Sequence, residues 1–75
     1  MADTIALIST GEELLTGETI DTNSAWLAGE MWDRGFTVSR MLTCGDALHE
    51  LVWAFTEAAR ASDKVICTGG LGPTV

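Results

Sequence analysis

Basic residues are scarce in this chain of 75 residues. Four Lys and Arg stand against 11 Asp and Glu, so the formal net charge is −7 at neutral pH. So few cations cannot neutralise a run of phosphates, which excludes DNA and RNA as expected partners. A small ligand that carries phosphate would instead be met by backbone N–H groups and a bridging divalent cation. The charge balance therefore favours a small-molecule ligand.

Proline, cysteine and long apolar runs are also rare, with one Pro and two Cys in the whole chain. No apolar run approaches the ~20 residues that span a bilayer, and the first four residues lack a basic segment. We therefore expect no membrane partner and a cytoplasmic location. Cys44 and Cys67 each end an apolar run without neighbours at metal-finger spacing, so we expect two reduced core thiols rather than a disulfide or a metal pair.

The hydrophobic pattern that is present predicts alternating strands and helices in one domain. A continuous apolar run, typical of a strand buried on both faces, opens the chain, and a strand nearer the sheet edge follows the first helix. The two predicted helices are long enough to form crossover connections between parallel strands. The predicted strands cover residues 4–9, 36–42 and 64–68, and the predicted helices cover residues 24–34 and 47–61, with a loop at 11–17.

The helix boundaries and faces follow from capping residues and spacing. One residue of Asp21-Thr22-Asn23-Ser24 is expected to cap the first helix, and Gly35 to end it. Asp46 is expected to cap the second helix. The side of this second helix that faces the sheet is expected to be an apolar stripe with residues spaced three and four apart. The stripe is formed by Leu48, Leu51, Val52, Phe55 and Ala59.

Three loops that could carry chemistry follow the three predicted strands. In a parallel sheet, ligands bind outside the carboxyl ends of the strands, where such loops converge. The glycines of 69–72 can present bare N–H groups to an anion, although the pattern alone fits a tight turn equally well. Asp46 could be a helix cap or a Mg²⁺ ligand. Glu12 and Glu13 could be solvated, or one of them could face the same crevice.

Several of these segments resemble a known family. Ile8-Ser9-Thr10-Gly11-Glu12-Glu13-Leu14-Leu15-Thr16-Gly17, Asp21-Thr22-Asn23-Ser24, Gly45-Asp46 and Thr68-Gly69-Gly70-Leu71-Gly72-Pro73-Thr74 resemble the molybdopterin-binding (MoCF biosynthesis) domain. The Leu-Gly-Pro-Thr ending looks like the CinA branch, while Thr-Gly-Glu-Glu-Leu is also similar to the MoeA branch. The resemblance implies a three-layer, Rossmann-like α/β fold with a parallel sheet, whose members bind molybdopterin or a nucleotide at this edge and are often homo-oligomers.

The resemblance also implies an activity and site residues. CinA-type domains of this kind are linked to hydrolysis of ADP-ribose and related pyrophosphates with a divalent metal such as Mg²⁺ or Co²⁺, often beside a nicotinamide-nucleotide amidase domain. Asp46 matches the first acidic residue of the family site, as a catalytic residue and metal ligand. The residues expected to bind the ligand are Gly11, Glu12, Asn23, Gly69, Gly70, Gly72 and Thr74. Glu12 stands where many relatives carry Asp or Thr.

The family pattern continues with a second acidic segment beyond the position where this chain has Val75. Residues 1–75 are therefore expected to form a partial domain that ends at the ligand loop, and the isolated chain is expected to be inactive. Two alternatives to the pyrophosphatase remain open at this stage. One is a binding module that captures molybdopterin without chemistry, and the other is an α/β fragment without activity.

Overall fold

A computed structural model describes residues 3–69 of the chain. Their order is β1 (Thr4–Thr10), α1 (Glu12–Thr16), α2 (Thr22–Asp33), β2 (Thr37–Cys44), α3 (Leu48–Ala61) and β3 (Lys64–Gly69). The predicted strands and the two long helices are all present, and each strand runs one or two residues further than expected. The loop predicted at residues 11–17 is wrong in part, because its centre forms the short helix α1.

The three strands form a parallel sheet in the order β2-β1-β3. The central position of β1 explains its continuous apolar sequence, since residues 5–10 are all buried. On β2 the register shifts at one point, where Ile5 pairs with Val38 but Ala6 pairs with Arg40. Ser39 is the extra residue of this bulge, and its hydroxyl donates a hydrogen bond to the carbonyl of Ile5 at 3.4 Å.

Helix α3 covers one face of the sheet through small residues. Ala54 and Ala58 are fully buried against Ala6, Ile8 and Cys44, and Leu51 packs partly buried at the edge of this cluster. The predicted stripe is therefore wrong in direction: Leu48, Val52, Phe55 and Ala59 are all exposed. Alanine lets the helix approach the sheet closely, which leaves the larger side chains to point beside the contact rather than into it.

Helix α2 covers the opposite face of the sheet. The hydroxyls of Ser9 on β1 and Ser24 on α2 are hydrogen-bonded at 2.5 Å, which fixes this face of β1 against the helix. The predicted cap is confirmed as Asp21, whose carboxylate accepts the Ser24 N–H at 3.1 Å. The predicted stop at Gly35 is also confirmed, because its φ of 90° lies in the left-handed region that favours glycine.

Helices on both faces of a parallel sheet make the three-layer α/β architecture that the sequence predicts. Cys44 and Cys67 are not joined in a disulfide, and the first is buried and the second half-buried. Across residues 3–69, no helix is both long enough and apolar enough to cross a membrane.

Candidate functional site

A cavity of about 300 Å³ lies at the carboxyl edge of the sheet. The ends of β1 and β3 form its floor, α1 and the following loop form one wall, and the first turn of α2 forms the other. Its volume is at the lower end of the range for small-molecule sites. The lining residues are Ser9, Thr10, Glu13, Leu14, Thr19, Ile20, Asp21, Thr22, Asn23, Thr68 and Gly69.

The α2 side of the cavity is a hydrogen-bonded acidic group. Asp21 caps the helix through the Ser24 N–H, and the Ser9 and Ser24 hydroxyls lie beside its carboxylate. Partial burial alone would raise the pKa of Asp21. The neighbouring pair of Ser9 and Ser24 hydroxyls and the Ser24 N–H stabilise the charged form and act against it, so the resulting pKa lies below its ordinary value. Asp21 is therefore an ionised carboxylate held in one place.

The β3 side of the cavity requires glycine. Gly69 has a φ of 132°, and a side-chain Cβ at this position would lie 2.3 Å from the carbonyl oxygen and 2.9 Å from the nitrogen of Thr10. Both are backbone atoms and cannot move aside cheaply. The chain therefore leaves β3 in close contact with the end of β1, at the start of the segment that the sequence analysis expects to hold the ligand.

A second acidic group surrounds the loop between β2 and α3. The carboxylate of Glu12 accepts the Asp46 N–H at 2.9 Å, and that of Glu50 accepts the Gly45 N–H at 2.8 Å. Burial raises the pKa of the Cys44 thiol, and the nearby charges of Glu50, Asp46 and Glu12 raise it further. The loop thus lies in a negative environment, fixed by carboxylates from the two helices that flank it.

Asp46 does not cap α3 as predicted. Ala47 occupies the cap position, and no side chain bonds to the first turn from there. Asp46 lies one residue too early, with its N–H directed to Glu12 instead. Glu50 in the first turn reaches back to the loop, so the connection between loop and helix is made from the helix side.

The expected site residues lie in four different places. Asn23 and Gly69 line the cavity. Asp46 and Glu12 lie together in the neighbouring acidic group rather than in its lining, and Gly11 is buried between the two places, with its N–H donated to the Cys44 carbonyl at 3.1 Å. Gly70, Gly72 and Thr74 lie outside the described residues.

Nine of the eleven lining residues were not predicted as ligand contacts, among them Glu13, Ser9 and Asp21. Glu13, not Glu12, is the acid that faces the crevice. Ser9 was assigned only to the first strand and Asp21 only to a helix cap. The sequence did contain a signal for Ser9 and Asp21. Hydroxyl and carboxylate groups at the end of a buried strand and in the loop that follows lie together at the carboxyl edge of the sheet.

The described residues offer few ligands for a metal. Within residues 3–69, no three His, Cys, Asp or Glu side chains are grouped so that they could hold a metal ion. Mg²⁺ commonly uses only one or two carboxylates, with water and substrate phosphate completing its octahedron. The acidic edge around Asp46 fits that mode of binding and does not fit a closed site made of protein ligands alone.

The geometry can be compared with known proteins. Residues 6–75 match the family model described as "Probable molybdopterin binding domain". The chain belongs to the molybdopterin-binding domain family. Over 97% of its length the fold also matches the crystal structure of CinA, a protein of unknown function from Thermoplasma acidophilum, with a TM-score of 0.92 and 40% identity. The parallel α/β architecture of this molybdopterin-binding domain is thus shared with a solved relative.

Curated relatives of this molybdopterin-binding domain carry CinA-like names. A CinA-like protein of Geobacter metallireducens is 54% identical over 69 residues, and the nicotinamide-nucleotide amidohydrolase PncC of Shewanella oneidensis is 43% identical over 70 residues. The match covers 92% and 93% of this chain, but only 17% and 16% of those relatives. It covers 43% of the Thermoplasma chain. The chain therefore spans about a sixth of the length of these curated relatives.

Proposed function

We propose that this domain belongs to an enzyme that binds a nucleotide diphosphate at the carboxyl edge of its sheet and hydrolyses ADP-ribose-type pyrophosphates with a divalent metal. The observation that supports the proposal most directly is the cavity between β1, β3, α1 and α2. It lies where parallel sheets bind ligands, and it adjoins the acidic edge that carries Asp46.

The residues take different roles in this proposal. Gly69, whose backbone packs directly on Thr10 at the floor of the cavity, lies beside the diphosphate in this proposal. Asp46 would hold the cation, and Glu12 positions Asp46 by accepting its backbone N–H. A divalent metal bound there would neutralise the diphosphate and polarise the bond to be cleaved.

The alternative is a module that captures molybdopterin without turnover, which the family description favours. The two proposals share the cavity and differ in chemistry. The amidohydrolase named for the Shewanella relative is a protein of which this match covers only 16%, so that name assigns no reaction to this cavity.

The test is an assay of the full-length protein with ADP-ribose in the presence of Mg²⁺, of Co²⁺, or of a chelator. Release of AMP and ribose phosphate that depends on the metal supports the pyrophosphatase. A tight complex with molybdopterin and no turnover of ADP-ribose under any of these conditions would reject it in favour of the binding module.

A further inference from the structure

The cavity has two chemically different ends, although its described lining contains no cation. Glu13 and Asp21 are the ionisable side chains among the lining residues that the structure describes. The Gly69 end offers closely packed backbone, whereas the α2 end offers an ionised carboxylate with hydroxyl neighbours. These ends cannot favour the same part of a ligand.

The α2 end is unsuited to a phosphate group. The positive end of a helix normally attracts anions through its free N–H groups. Here Asp21 already occupies that position, because its carboxylate accepts the Ser24 N–H at 3.1 Å. A phosphate at the same place would meet a fixed negative charge in place of a free donor.

The same carboxylate is well suited to hydroxyl donors. A carboxylate has about four acceptor positions on its two oxygens, and the cap uses one of them. Two neighbouring hydroxyls on one ring can bond to the two oxygens together, and an acidic side chain serves ribose in this way in dinucleotide-binding folds. The Ser24 N–H holds the acceptor in place before any ligand arrives, and the buried Ser9 and Ser24 hydroxyls, hydrogen-bonded to each other, lie beside it.

We propose that Asp21 determines the specificity of this site by accepting hydrogen bonds from the vicinal hydroxyls of the ligand's ribose. The uncharged sugar then lies against the first turn of α2, and the phosphates point toward Gly69 and the acidic edge. The proposal rests on the proposed function only in taking the ligand to be a nucleotide, and it does not require hydrolysis.

The test uses ligands without phosphate, so that metal and turnover play no part. Full-length protein is titrated by calorimetry with adenosine and with 2′,3′-dideoxyadenosine in the presence of a chelator. We expect the dideoxy compound to bind at least tenfold more weakly. In Asp21→Asn, adenosine should lose at least tenfold in affinity, whereas the dideoxy compound should bind as it does to the wild type.

Asparagine retains the helix cap, since Asn and Asp are comparable at this position, and a cooperative thermal unfolding transition in the variant confirms that the fold is retained. The matched control is Asp33→Asn, which removes the same charge from the exposed far end of α2 and should bind adenosine normally. Equal affinities for the two nucleosides, no binding of adenosine, or wild-type adenosine affinity in Asp21→Asn would each overturn the proposal.

A third ligand separates the ribose from a pterin ring. If 6-hydroxymethylpterin binds more tightly than adenosine, and this affinity is lost in Asp21→Asn, the carboxylate accepts hydrogen bonds from N–H donors of the pterin ring. The ribose assignment is then overturned. The ADP-ribose assay remains a separate measurement. If the protein discriminates between the nucleosides but does not turn over ADP-ribose, the role of Asp21 is upheld and hydrolysis is rejected. If it turns over ADP-ribose but does not discriminate between the nucleosides, hydrolysis is upheld and the role of Asp21 is rejected.

Discussion

The carboxylate of Glu12 accepts the backbone N–H of Asp46 at 2.9 Å, although the two residues lie 34 positions apart in the chain. This contact joins the first turn of α1 to the loop before α3. It holds the proposed metal ligand by its backbone and leaves its side chain available. A cation site that uses few protein ligands depends strongly on such positioning.

We therefore predict that Glu12→Ala lowers metal-dependent activity of the full-length protein roughly tenfold, within the range typical when a residue that orients a metal ligand is lost. Glu12→Gln should retain most of the activity, because its amide oxygen can still accept the N–H. The measurement is turnover of ADP-ribose against Mg²⁺ concentration. A change in the Mg²⁺ concentration needed for turnover in Glu12→Ala alone supports the positioning role of Glu12. An equal loss of activity in Glu12→Ala and Glu12→Gln would show that the charge itself is needed.

Asp46→Asn is predicted to lower turnover at least tenfold with little change in stability. Its carboxylate is exposed and the cap position belongs to Ala47, so the substitution removes no contact that the described structure needs. Asn is a weaker ligand for Mg²⁺ because it lacks the charge. Asp63→Asn, also exposed but before β3, is the control. Unchanged turnover in purified Asp46→Asn would remove this residue from the mechanism.

The sequence was informative where one physical cause dominated. The buried strand β1 could be predicted because its apolar run is continuous, and α2 because Asp21 and Gly35 mark its limits. The face of α3 was wrong because periodicity groups residues by direction without saying what they face. Ala54 and Ala58 decide the contact with the sheet through their small size, which a search for large apolar residues overlooks.

The site was only partly predictable for a related reason. Helix α1 has five residues between two glycines, too short for a periodic signal, yet it decides which of two adjacent acids faces the cavity. In the sequence, helix capping was a sufficient reason for an Asp at position 21. That Asp21 also lies beside Ser9 depends on how α2 packs on β1. Long-range packing of that kind is not encoded in local spacing.

Gly69→Ala is predicted to destabilise the protein substantially. The new Cβ would lie 2.3 Å from the Thr10 carbonyl oxygen, at a φ of 132° that residues with side chains rarely adopt. Gly17→Ala is the matched control, because Gly17 has a φ of 84° but open space around its Cβ position. Strain alone should cost about 1–3 kcal/mol in either variant. Urea unfolding should show a clearly larger loss for Gly69→Ala, and equal losses would mean that the close contact is unimportant.

Asp21 is predicted to contribute stability that depends on acidity. Its pKa in the folded state lies below the ordinary value of 3.8, so in that range the unfolded chain binds more protons. The contribution is therefore complete above the unfolded pKa and is lost as the pH falls through the folded pKa. In unfolding experiments between pH 7 and pH 2, the advantage of wild type over Asp21→Asn should be constant at first and shrink below 3.8. A gap that widens on acidification would contradict the lowered pKa.

The exposed apolar face of α3 leads to the last prediction, which concerns association. Leu48, Val52 and Phe55 are 76%, 57% and 42% exposed, and within the described residues β2 and β3 each leave one edge of the sheet unpaired. Apolar patches and open edges of this kind favour contacts between chains. We therefore expect the isolated 75-residue chain to self-associate, and Val52→Lys to reduce that association while His49→Lys, at an exposed polar position of the same helix, leaves it unchanged. Sedimentation velocity over a range of concentrations measures both effects, and a wild-type chain that stays a compact monomer throughout would show that this face needs no partner.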